Sequence, residues 1–542
     1  MSDMGESGET AGAAEEASID GPASASSTTT TAPPPAGSPV HGPVPGAGGG
    51  PQPLWKPRAD PRRLGWRFWA AVALGAVGTD IALRTPPWNN TAGTVGVLAI
   101  VGGLLLSGRV RSLTSQVALG IAAILGVFLV LRSNPALVVF NVIAILGLTW
   151  VAVAHNRGRS VWETSPMRLL VRGAETVATG VETLPDAGAE IAARRRKLFG
   201  SGGATGQVVA SVFRGLAIAA PLLLVLGLLL STADAVFASF FSVSIEGDPG
   251  PFLSHVVLVA LGALGMLVLL RMTGRNLGAH DVDVQGFRLG LVETMVVLIS
   301  LDVLFAGFGV AQLLALTGSA DAVLEEAGLT VKEYARQGFF QLLWVAGLTA
   351  MALITLHVLS RHHERRGRTA IRVASLVAVG LTFVIVGVAF SRLQLYIDYD
   401  GHTPLRFYSL VFSVWIAVVF VILAARILGY RPDTSWFTSV VGASAVLFLL
   451  GLNLANPEAI IVNANLDRDD RQVLWHIDQF SADGDVVLAE GLDRLPDDVA
   501  DEVRDEYCIS NRRPAERLEE RTGLRYNRSE QRFLDVYDEF CP

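Results

Sequence analysis

The chain has 542 residues, of which 51% are hydrophobic and only 17% charged, and its mean hydropathy is +0.44. A water-soluble protein of this length does not carry so much apolar surface, so the excess is expected to face lipid. The net charge of -7 offers no basic footprint for nucleic acid.

Residues 1–54 are rich in Gly, Ser, Ala, Thr and Pro, hold six acids and have no Lys or Arg before Lys56. Such a stretch buries too little apolar surface to fold and is read as a disordered cytoplasmic tail. It has neither the basic start nor the adjoining apolar run of a signal peptide, so insertion is expected to begin at the first internal span.

Eleven apolar runs follow, each near the roughly 20 residues that cross a hydrocarbon core: 66–83, 91–106, 116–131, 136–154, 209–230, 252–270, 289–316, 338–360, 373–390, 408–425 and 437–455. The predicted fold is an all-α polytopic transmembrane bundle. The first two runs are short and also fit a helical hairpin tucked against the rest. The seventh is long enough to be tilted, or broken near Gly307 and Gly309. Basic residues in short loops stay on the cytoplasmic side, and here alternate segments hold 25 Lys and Arg against six in the opposite short loops. That asymmetry favours an odd number of spans, with the N-terminus inside and everything after Asn456 outside, at the plasma membrane. A first four-span segment, 66–154, is separated from a seven-span segment, 209–455, by the basic cytoplasmic loop 155–208. Met167, Leu170, Val171, Ala174, Val177, Val181 and Leu184 recur there at helical spacing, as in a helix on the inner leaflet. A plain topology signal explains the basic residues equally well.

The tail 456–542 counts 22 acids against 11 arginines, yet its apolar residues recur at helical spacing, so a few short helices are expected. Pro496 followed by Asp497 and Asp498 reads as a helix start. Both cysteines, Cys508 and Cys541, fall here, and on the oxidising side of a membrane they are candidates for a disulfide.

No motif for chemistry emerges. The stretch 200–207, GSGGATGQ, lacks the Lys-Ser/Thr that holds nucleotide phosphates and metal. His362, His363 and Glu364 are adjacent in a basic loop, and sequence neighbours rarely point at one ion, so neither a metal site nor a cofactor is expected. Ionisable residues within spans are better pointers, because each is costly unless paired or facing water. Arg214 and Glu293 lie about one turn inside the inner face and form a candidate ion pair, with snorkelling the alternative for Arg214. Asp80 and Asp302 fall in the outer half, where a water-filled cavity open to the outside would suit them. Two outer segments add arginine beside tyrosine, at Tyr334 and Arg336 and at Arg392, Tyr396 and Arg406. These side chains suit a phosphate, carboxylate or sugar ligand, or they tie loops together through neighbouring acids.

The segments YARQGFFQL from Tyr334, SRLQLYIDYDGHTPLR from Ser391 and NPEAIIVNANLDR from Asn456 together resemble the actinobacterial membrane family known as domain of unknown function 4153/4173, over roughly 209–493. Tyr334, Arg336, Gly338, Phe339, Arg392, Tyr396, Gly401, Thr403 and Arg406 match its pattern. Asp400 and His402 replace an aromatic and an aliphatic residue. The resemblance implies a polytopic membrane protein and no reaction. The chain therefore reads as a non-enzymatic envelope protein that transports, senses or scaffolds. Its expected partners are the lipid bilayer and envelope proteins or lipid-linked molecules at the outer face. The alternative is a membrane-embedded transferase acting on a lipid-linked substrate, with Asp80 near the outer end of the first span. A proton-coupled transporter would use Asp80 or Asp302 as its titrating group.

Overall fold

The computed structural model describes residues 65–156, 172–173, 175–176, 250–274, 289–314, 339–360, 365–429, 436–468 and 479–541. Among them are fourteen α-helices and no sheet. The tail 1–54, the loop helix around Met167–Leu184 apart from residues 172–173 and 175–176, the span 209–230, Arg214, Tyr334, Arg336 and the His362–Glu364 cluster lie outside the described residues.

The other ten runs are helices: α1 Trp66–Arg84, α2 Thr91–Leu106, α3 Leu113–Leu131, α4 Pro135–Ala154, α5 Gly250–Met272, α6 Leu291–Leu314, α7 Phe339–Leu359, α8 Arg365–Asp400, α9 Pro404–Leu428 and α10 Trp436–Ala455. Seven of these, α3 to α6 and α8 to α10, are long and apolar enough to cross a membrane, and α2 is a shorter apolar helix. Side chains such as Ile143, Val303, Phe412 and Leu447 point outward from them, which suits lipid and not water. The chain is an integral membrane protein.

Local sequence sets the helix starts. Asn90, Ser112, Asn134 and Thr403 accept a hydrogen bond from the first turn of α2, α3, α4 and α9, and Pro135 and Pro404 take the first helical position, where no N–H is needed. The structure removes one sequence alternative and corrects one expectation. Helix α6 runs unbroken through Gly307 and Gly309. The ninth run is twice its predicted length, because α8 starts at Arg365 and continues through Ser391–Asp400 instead of ending in a loop. At about 1.5 Å per residue its 36 residues outreach the hydrocarbon core. It stops where Gly401 takes a left-handed φ of 75° and donates its N–H to Ile397 O at 2.8 Å. Arg468 then donates to the carbonyls of Ile397 and Asp398 at 2.7 and 2.5 Å.

The helices share two cores. One gathers α1 to α5 with Leu449 of α10, and the other gathers α6 to α9 with Phe437 of α10. Small residues permit the closest approach in the first core: a Cβ on Gly96 of α2 would sit 2.7 Å from Gly78 O of α1. Helices α4 and α10 join through Asn141 and Asn453, both fully buried, whose amides exchange two bonds of 2.8 Å.

Beyond α10 the chain forms α11 Pro457–Leu466, α12 Ala482–Glu490, α13 Asp497–Glu519 and α14 Arg528–Phe540. Val486, Val503, Tyr507 and Phe533 centre a third core, and Cys508 and Cys541 are bridged, with Cα atoms 5.6 Å apart. Helix α13 begins at Asp497, directly after Pro496.

Candidate functional site

Apolar runs end at the lipid boundary, and polar groups concentrate there. At one end of the bundle the C-terminal helices meet the α1–α2, α3–α4 and α8–α9 connections. Asn527, which caps α14, donates its amide to Asn89 O, Leu129 O and Arg132 O at 2.7, 3.2 and 3.0 Å. Thr91 N–H donates to Tyr526 O at 2.9 Å. His402 and Asn465 exchange bonds of 2.8 and 2.9 Å.

The centre of this junction is acidic. Glu458, Asp483, Asp485 and Glu530 are 1%, 4%, 6% and 9% exposed, a degree of burial that carboxylates tolerate only with partners. Asp483 lies against the start of α4: its Oδ2 accepts from the N–H groups of Ser133 and Asn134 at 2.7 and 2.9 Å, where an unsatisfied helix terminus favours negative charge. Its Oδ1 accepts from Ser529 Oγ at 2.8 Å, and Arg132 stands 3.6 Å away. Glu458 completes the arrangement. Oε1 accepts from Asn134 Nδ2 at 2.5 Å, and Oε2 accepts from the N–H and hydroxyl of Ser481 at 3.0 and 2.6 Å. Tyr408 of α9 donates to the other end of the Asn134 amide at 3.0 Å. Arg132 also donates twice to Asn453 O, at 2.9 and 2.7 Å, which ties the junction to the α4–α10 seam.

These groups are not electrostatically alike. Burial pushes the Glu458 carboxyl up to about 7, against the pull of its Ser481 hydrogen bond and with a further push from Asp483. Burial, with Glu458 nearby, raises Asp485 well above the ordinary carboxylate range, and its Oδ1 has no partner among the described residues. Burial also raises Glu530, despite two 3.0 Å bonds from Arg521. His402 is lowered by burial and by Arg468. The junction therefore holds a carboxyl that changes charge near neutrality.

The sequence-derived site residues do not gather in one place. Asp80 is held by Arg84 at 2.7 Å and by His255 of α5 at 2.8 Å, and Arg84 also donates to Ser254 at 3.1 Å. These contacts join the end of α1 to the start of α5. Asp302 Oδ1 has no partner among the described residues. Arg392 donates to Gln312 of α6 at 3.2 Å. Arg406 and Tyr396 do meet, with the guanidinium 3.9 Å from the ring centroid, and Arg406 donates to Gly401 O at 2.7 Å. Glu293 stands in the first turn of α6.

Glu458, Asp483 and Asp485 were missed because each reads as one more solvated charge in an acidic tail. Glu458 follows the Asn-Pro of a helix start, which is the one local signal present.

A family model described as Domain of unknown function (DUF4153) matches residues 119–491. No curated protein and no solved structure matches the chain.

Proposed function

The chain belongs to the DUF4153 family, and from that premise we propose an envelope protein of the actinobacterial plasma membrane that senses or scaffolds at its outer face through the C-terminal domain. One observation carries this reading: Asp483, on a domain outside the spans, closes the start of α4 inside a buried network that also holds Glu458 and Tyr408. A domain fastened to helix ends transmits a change on either side to the other, because its docking and the helix terminus share the same hydrogen bonds.

The orientation with this junction outside and the N-terminus inside rests on the charge asymmetry and on the cysteine pair in the tail. Helix directions support the odd span number. Asn156, just past α4, donates to Thr273 O, just past α5, at 2.9 Å. The two helices therefore end on the same side, which an odd number of crossings between them requires.

Transport within the same class rests on Asp302, whose oxygen lacks a partner in α6. The transferase reading leans on Asp80, whose oxygens are engaged by Arg84 and His255, and it is correspondingly weaker. The test is a deletion strain complemented with wild type, Asp483→Ala or Asp302→Asn, followed by envelope lipid and polysaccharide profiling and small-molecule sensitivity. Sensing or scaffolding predicts normal glycans, altered sensitivity in the deletion, no rescue by Asp483→Ala and full rescue by Asp302→Asn. A changed glycan profile would establish the transferase instead, and proton-linked uptake abolished by Asp302→Asn would establish the transporter.

A further inference from the structure

Where α3 ends, a cleft of about 220 Å³ opens between the last turn of that helix and the C-terminal helices α12 and α14. Its walls differ in chemistry. Phe128 and Leu131 of α3 and Val487 of α12 contribute apolar side chains, and Arg132, Arg528 and Arg532 contribute three arginines. Arg528 has no hydrogen bond or ion pair among the described residues. Arg532 is engaged by Glu490 at 3.1 Å, in a pair more than half exposed on both sides and so readily exchanged. Asp483 also borders the cleft, but its oxygens already accept from Ser133, Asn134 and Ser529.

The position of the cleft narrows its ligand. The last turn of a membrane-crossing helix lies where hydrocarbon gives way to headgroups, and the domain beyond it stands at headgroup level. A ligand there meets both apolar side chains and planar, hydrogen-bonding cations. Guanidinium groups match phosphate oxygens in pairs, and each arginine near an anionic surface adds to lipid attraction. The volume holds a phosphate with a few attached atoms and not acyl chains, which would run down the outside of α3 beside the exposed Ile124 and Val127.

We infer that this cleft binds the phosphate of an anionic membrane lipid, seated between the end of α3 and Arg528 and Arg532 of α14. Such a lipid bridges bundle and C-terminal domain at a second point beside the carboxylate network.

The test uses the full chain in mixed phosphatidylcholine and phosphatidylglycerol nanodiscs, released for native mass spectrometry so that retained lipids are counted by headgroup. Wild type is expected to retain phosphatidylglycerol in preference to phosphatidylcholine. The double variant R528Q/R532Q should lose that preference by about tenfold or more. V487E, which sets a carboxylate in the apolar wall, should lose it too without removing an arginine. R525Q, an exposed arginine outside the cleft, should retain it, and thermal unfolding identifies any variant that fails to fold. Equal headgroup counts in wild type, R528Q/R532Q and V487E would overturn the inference. Displacement of the lipid by millimolar inorganic phosphate would overturn the assignment to lipid and leave a site for the free ion.

Discussion

Helix α4 is anchored at both ends to parts of the chain distant in sequence, and the two anchors differ in kind. At its start, carboxylates from the C-terminal domain accept from Ser133, Asn134 and the Asn134 amide. At its far end one neutral amide, Asn156, accepts from Arg111 N–H at 2.7 Å and donates to Arg109 O and Thr273 O at 2.7 and 2.9 Å. Both anchors satisfy backbone groups that a membrane leaves without water. Only the first contains a carboxyl, Glu458, that changes charge near neutrality, and only the first engages a domain outside the bundle. The two ends of one helix thus separate a switchable contact from a permanent one.

The sharpest way to break the contrast is Asp483→Ala. It strands the N–H groups of Ser133 and Asn134 and removes a buried ion-pair partner of Arg132, at a cost of about 3 to 5 kcal/mol. Limited proteolysis of the tail should then become fast while the membrane helices stay intact. Asn156→Ala should cost less, about 1 to 3 kcal/mol. Thermal unfolding should show the same loss at pH 5 and pH 8, since no titrating group is removed.

The smallest effect tests the switch. A raised carboxyl pKa means that the docked state holds a proton which the released chain gives up. Docking is therefore strongest below the ordinary carboxylate value of 4.5, weakens as pH rises toward about 7, and levels above it. Asp485 and Glu530 are raised as well and act in the same direction. Glu458→Gln should remove up to about one proton from this dependence, or roughly 1.4 kcal/mol per pH unit, with less than about 1 kcal/mol change at pH 5. The slope of tail protection from hydrogen exchange against pH measures it, and an unchanged slope would place the titration elsewhere.

Much of the architecture is legible in the sequence for a physical reason. A span must satisfy its own backbone and bury an apolar run, so it is local information, and all ten described runs are helices. The cysteine pair is legible because two thiols in one tail leave one pairing. The extension of α8 was not, because Arg468 caps it from beyond α10. The junction was least legible. Asp483 and Ser133 are 350 residues apart, and nothing near either marks it as buried. The pairing of Asp80 with His255 has the same long-range origin, whereas the stacking of Arg406 on Tyr396, ten residues away, falls within a segment that the sequence singled out.

The central claim, that the C-terminal domain docks on the start of α4, is tested most directly by pairing cysteines across the junction. Ser133 Oγ and Ser481 Oγ are 2.9 Å apart. With S133C and S481C together in otherwise native protein, mild oxidation of intact membranes should join them in most molecules, and adding Asp483→Ala should abolish the link. Two thiols that stay separately reactive toward a membrane-impermeant maleimide, in protein that is expressed and inserted, would contradict the account.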